Sequence, residues 1–174
     1  MLYLTILICF VFFAGVAMTI GEGLWSNTIA LFSVLLSGLL AVFGGVPLGV
    51  WILEKSGKDD TFSWIFVFTA IWVVFTVSVV IFRVLADRIS SVRMKFIPPL
   101  EMVSGPLMGM FVAVMFTSFA AYTLERVPIR AGEWDFASAS SWQQSAFKYA
   151  RLPFLSVVSK CAKAEGVDTE FIAK

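Results

Sequence analysis

Uncharged runs occupy residues 1–21, 23–53, 61–82 and 102–124, and the acidic and basic side chains collect in the short stretches between them and in the residues that follow the last. Each run reaches the roughly 20 residues that carry a helix across a bilayer. Residues 64–82 are rich in β-branched side chains but lack the alternating polarity of a membrane barrel. At that length only a helix satisfies every backbone group within its own segment. The pattern predicts an all-α membrane protein with four transmembrane helices, at about residues 2–20, 27–53, 62–83 and 99–122, and a C-terminal amphipathic helical tail. Residues 1–123 make the transmembrane domain and 124–174 an extramembrane tail.

Punctuation along the chain sets the ends. The first span stops at Gly21-Glu22-Gly23, a tight hairpin, with Tyr3 and Trp25 near opposite interfaces. Gly44, Gly45, Pro47 and Gly49 interrupt the second span, which either kinks or ends there, with Trp51 as an interfacial anchor. Asp60 is placed to cap the third span, whose continuation sets Arg83 and Asp87 one helical turn apart. Pro98-Pro99 opens the fourth, with Glu101 in its first turn.

In the tail, Ser141 and Gln144 resemble a capping box. Trp142, Ala146, Phe147, Tyr149 and Ala150 then cover one side of a helix that Pro153 should bend or end. A second short helix over 154–164, closed by Gly166, is expected to follow.

Composition narrows the class. Hydrophobic residues are 59% of the 174 and charged ones 14%, too few polar groups to cover a water-facing surface. A soluble enzyme, a secreted disulfide scaffold and a disordered protein are excluded together. The net charge of +1 offers no field for nucleic acid, and Cys9 and Cys161 are spaced for neither a disulfide framework nor a zinc site. No Lys or Arg precedes the first run, which is also longer than a signal-peptide core, so it is expected to be retained as a span.

With no histidine in the chain, histidine-based catalytic triads and histidine-ligated metals are impossible, and no phosphate-binding glycine loop with a lysine is present. No catalytic residue, cofactor or metal is expected, and the chain is not read as an enzyme. Glu22, Glu54, Arg83 and Glu101 fall at span boundaries, leaving the spans without the intramembrane charge usual in transporters. A structural or accessory membrane role is therefore preferred; a small oligomeric channel or transporter subunit is the alternative. Arg83, Arg88, Arg93 and Lys95 cluster in the third connection, which places that loop in the cytoplasm and both termini outside.

Packing chemistry is the strongest positive signal. Ser33, Ser37, Ala41 and Gly45 recur every four residues on the second span, Gly105 and Gly109 on the fourth, and Gly15, Thr19 and Gly23 on the first. Small residues so spaced let helix backbones approach closely in lipid. They serve either the monomer's own bundle or association with another copy or another membrane protein, the partners expected besides the bilayer itself.

These parts together resemble the CvpA family, named for colicin V production. The resemblance lies in the glycine-containing first turn, the small-residue helix, the charged hairpin, and Pro99-Leu100-Glu101-Met102-Val103-Ser104-Gly105-Pro106-Leu107-Met108-Gly109 entering the last span. In the tail, Trp142-Gln143-Gln144-Ser145 followed by Leu152-Pro153 is similar to the family's tryptophan, serine and proline pattern, so that the likeness covers about residues 1–155. The family's basic residue in the first turn and its Asp-Arg at the last span are replaced here by Glu22 alone and by Pro99 and Glu101. The resemblance implies a small multi-pass inner-membrane protein associated with toxin production or export and envelope homeostasis, with Trp142, Ser145 and Pro153 as its tail motif.

Overall fold

The computed structural model describes residues 2–57, 63–89, 98–125 and 140–164. Among them the chain is all-helical: α1 (Leu2–Thr19), α2 (Leu24–Ser56), α3 (Ser63–Ile89), α4 (Pro98–Glu125) and α5 (Ser141–Ala164). Three helices, α2, α3 and α4, are long and apolar enough to cross a membrane; the apolar stretch Thr5–Thr19 of α1 is shorter. The expectations for Asp60, Arg93, Lys95 and Gly166 lie outside the described residues.

Glycine and proline do not stop α2. It runs unbroken through Gly44, Gly45, Pro47 and Gly49 and ends at Gly57, whose φ of 60° makes a left-handed cap. The reason is tertiary. A Cβ on Gly45 would lie 2.8 Å from the Ile71 Cα, and one on Gly49 would lie 2.6 Å from the Val67 Cα. Both glycines are where the α2 backbone rests directly on that of α3, and this contact, the most extensive between any two helices, holds the proline-containing segment helical. At about 1.5 Å per residue α2 is about 50 Å long, more than a bilayer's hydrocarbon core.

An aromatic seam joins the bundle across three helices. Phe75 of α3 stacks on Phe119 of α4 with centroids 4.3 Å apart, and Phe119 meets Phe154 of α5 edge-on at 5.2 Å. Trp72 closes on Phe119 at 5.6 Å. Such pairs contribute about 0.5–1.5 kcal/mol each beyond the area they bury.

The tail departs from its expected form. α5 is one helix through Pro153, not two. Its cap is Ser140, whose N–H donates to Gln143 Oε1 at 3.3 Å, so the capping box sits one residue earlier than Ser141 and Gln144. The buried face is Gln143, Phe147, Phe154, Val158 and Ala162, whereas Trp142, Ala146 and Tyr149 are exposed. Shape decides this: Phe154 fills the space left by Gly38, where a Cβ would come within 2.6 Å of its ring, and Phe147 settles against Ala121.

Pro153 has no N–H to donate and its ring crowds the carbonyl of Tyr149, which loosens the turn. The next amide is held from outside the helix: the Phe154 N–H donates to the buried Ser118 Oγ of α4 at 2.9 Å. Ser118→Ala is expected to lower stability by about 1–2 kcal/mol. In a Pro153→Ala background the loss should shrink, because the turn can close on itself. Thermal unfolding of the four variants in detergent measures this non-additivity.

Apolar side chains cover the outside of the bundle as well as filling its core. Large apolar side chains face outward on every long helix, among them Phe10 and Phe13 on α1, Phe32 and Leu36 on α2, Val73 and Val77 on α3, and Leu107 and Phe111 on α4. Asn27, Ser33, Ser37, Thr117, Ser118 and Thr123 are buried.

Candidate functional site

One polar cluster sits where the α1–α2 turn, the C-terminal part of α3 and the first turns of α4 meet. Asn27 is its centre. The residue is fully buried, and its amide nitrogen donates to three backbone carbonyls: Thr19 at 3.0 Å, Glu22 at 3.1 Å and Gly105 at 2.9 Å. One side chain thus ties the end of α1, the turn and α4 together. Its Oδ1 is buried and has no hydrogen-bond partner among the described residues.

Around it the two small-residue stripes of α1 and α4 face each other. Gly15 lies against Ala113, where a Cβ would sit 3.2 Å from the alanine's own. Gly109 lies under Thr19, whose hydroxyl is 3.1 Å from the Gly109 carbonyl and 2.9 Å from that of Gly15. Gly105 abuts the Glu22 carbonyl, 3.2 Å from where a Cβ would be. Gly105 and Gly109 are therefore covered by the chain's own α1 and α1–α2 turn. Gly109→Leu should insert normally but lower stability by about 2 kcal/mol, since overpacking a close seam typically costs about 1–3. Thermal unfolding against the parent protein measures it.

The rim is ionic. Arg83 Nη2 lies 3.5 Å from Glu22 Oε1 and 3.4 Å from Ser26 Oγ, and the Ser26 hydroxyl donates to Glu22 Oε2. Arg83 also approaches Asp87 at 4.0 Å, the pairing expected from their spacing. These groups are about 40% exposed, so the ion pair contributes at most about 1 kcal/mol and serves mainly to fix register between α2 and α3. Beside it Ile20, Gly21, Glu22, Gly23, Glu101 and Met102 line a shallow cleft of about 440 Å³.

The other anticipated residues lie elsewhere. Ser33, Ser37 and Ala41 are buried along α2 with Gly45, which meets α3. Ser33 donates to its own Ile29 carbonyl at 2.8 Å. Trp142 is 60% exposed, and Ser145 is exposed with its hydroxyl on the Ser141 carbonyl at 2.9 Å. Pro153 is half-buried beside Phe154. Asn27, Gly38 and Ser118 carry packing that small-residue periodicity does not pick out, whereas Gly49 continues the four-residue spacing past Gly45. A lone asparagine in the uncharged run 23–53 is the signal that points to Asn27, because an amide in lipid must find partners.

No protein-family profile, curated protein or solved structure matches the chain. The resemblance to the colicin V production family thus rests on the quoted residues alone.

Proposed function

We propose that the chain is a multi-pass inner-membrane protein of four antiparallel crossings, with α5 as a tail packed at one end, acting as a structural or accessory component of the envelope. The outward apolar belt carries this reading. Large exposed apolar side chains on α1 to α4 suit lipid and would be unfavourable in water. On this reading α1, about 27 Å long at about 1.5 Å per residue, is the fourth span. Residues 1–123 then form the membrane domain and both termini share one side.

The accessory role is supported by where the polar groups go. Asn27, Thr19 and Ser118 all bond backbone groups of neighbouring helices, work that builds a bundle rather than a path for solute. The resemblance to CvpA proteins suggests toxin export or envelope homeostasis as the setting, with other membrane proteins or further copies as partners. Liposomes containing only this chain are expected to show no solute flux above empty vesicles. Flux that disappears on bulky substitution at Ser37 or Gly45 would contradict the accessory role and establish a channel.

A further inference from the structure

We infer that the outer face of α5 is a docking strip for anionic phospholipid headgroups of the cytoplasmic leaflet. The inference rests on the membrane-spanning reading above and goes beyond it in naming a lipid class, a surface and a side.

α5 has two opposed faces. With 3.6 residues per turn, Trp142, Tyr149, Leu152, Ser156, Lys160 and Lys163 fall within about a quarter of the circumference, opposite the buried Phe147, Phe154 and Val158. All six are exposed. Lys148 is exposed at the edge of the strip, and the 24 residues of α5 contain Arg151 but no Asp or Glu. Cations with interleaved aromatic rings and no acid are the composition that seats a helix at an anionic headgroup layer.

Docking on α4 fixes which face of α5 is turned out. Phe147 packs with Ala121 and Leu124 in the last turns of α4. The Phe154 amide bonds Ser118, seven residues before the end of α4 at Glu125. These contacts hold the inner face of α5 against the C-terminal part of α4 and leave the lysine-bearing face exposed.

The same docking bears on orientation. It brings Lys148, Arg151, Lys160 and Lys163 to the side that already carries Lys55, Lys58, Arg126 and Arg130, against Arg83, Arg88, Arg93 and Lys95 on the other. Basic residues favour the cytoplasmic side, so the termini face the cytoplasm, opposite to the side favoured by the connecting loops alone.

The test uses the full chain with Cys9→Ser and Cys161→Ser, a photoreactive group on Ser156→Cys, and nanodiscs of mixed phosphatidylglycerol and phosphatidylcholine. Captured phosphatidylglycerol should exceed its share of the disc. Its enrichment should fall to parity in Lys148→Gln/Lys160→Gln/Lys163→Gln, since each lysine is worth about fivefold near an anionic surface and the three together up to about a hundredfold. These exposed substitutions leave the unfolding temperature unchanged. Equal capture of both lipids by the parent chain, or capture of neither, overturns the strip. An impermeant thiol reagent should reach Ser140→Cys only after cells are permeabilised; labelling in intact cells overturns the assigned leaflet. Release of the parent chain from membranes by alkaline carbonate would instead sink the spanning reading.

Discussion

Gly49→Leu is expected to destabilise the bundle by about 3 kcal/mol or more, while Gly44→Ala, five residues away, should leave it unchanged or raise stability by about 0.5–1 kcal/mol. The difference follows from what each Cβ would meet. At Gly49 it would lie 2.6 Å from the Val67 Cα, 3.1 Å from the Val67 nitrogen and 3.2 Å from the Phe66 carbonyl oxygen. Backbone cannot rotate out of the way as a side chain can, so α2 and α3 must separate. At Gly44 nothing lies within 4 Å, and alanine only improves helix propensity. Because α2 and α3 share the largest contact in the bundle, their separation exposes Pro47 to a segment no longer held helical. Thermal unfolding in mild detergent, with helicity followed by far-ultraviolet circular dichroism, reads both variants. Equal transition temperatures for Gly49→Leu and the parent would show that the two backbones do not touch.

The second large effect is at Asn27. Asn27→Leu keeps the branched outline of the side chain but removes the donor that serves the Thr19, Glu22 and Gly105 carbonyls. The amide shares its two hydrogens among the three carbonyls, so at about 1 kcal/mol for each net hydrogen bond the loss is about 2 kcal/mol. Asn27→Asp should be worse than Asn27→Leu, since an ionised carboxylate would face three carbonyl oxygens in a fully buried position. Arg83→Gln, at the half-exposed rim of the same junction, should cost under about 1 kcal/mol. The order Asp, Leu, then the Arg83 variant, from least to most stable, separates the buried amide from the surface ion pair in one set of melting curves.

The long apolar helices α2, α3 and α4 were legible as uncharged runs, because such a run favours a helix whatever its neighbours. Gly15, Thr19, Gly105 and Gly109 were legible too, as two periodic stripes that prove to face each other. Pro47 and Pro153 misled for a shared reason. Proline signals a break when a helix stands alone, but here the α3 backbone supports one proline segment and the Ser118 hydroxyl supports the other. Such support lies far along the chain: Ser118 is 36 residues from Phe154. The buried side of α5 was misjudged because periodicity ranks Trp142 and Tyr149 with Phe147 as equally apolar. Only the notch at Gly38 and the fit against Ala121 select the phenylalanines. Asn27 carried its one signal, an amide among apolar residues, while its three acceptors are fixed by the turn and α4 and belong to no local pattern.

Four antiparallel crossings are the centre of this account, and single-cysteine accessibility tests them most directly. In a Cys9→Ser/Cys161→Ser background, cysteines replace Gly57 after α2, Asp87 near the end of α3, and Ser140 ahead of α5. An impermeant reagent applied to intact cells and then to permeabilised ones should find Gly57→Cys and Ser140→Cys on one side of the membrane and Asp87→Cys on the other. Labelling of Asp87→Cys from the same side as Ser140→Cys would contradict the four-span architecture.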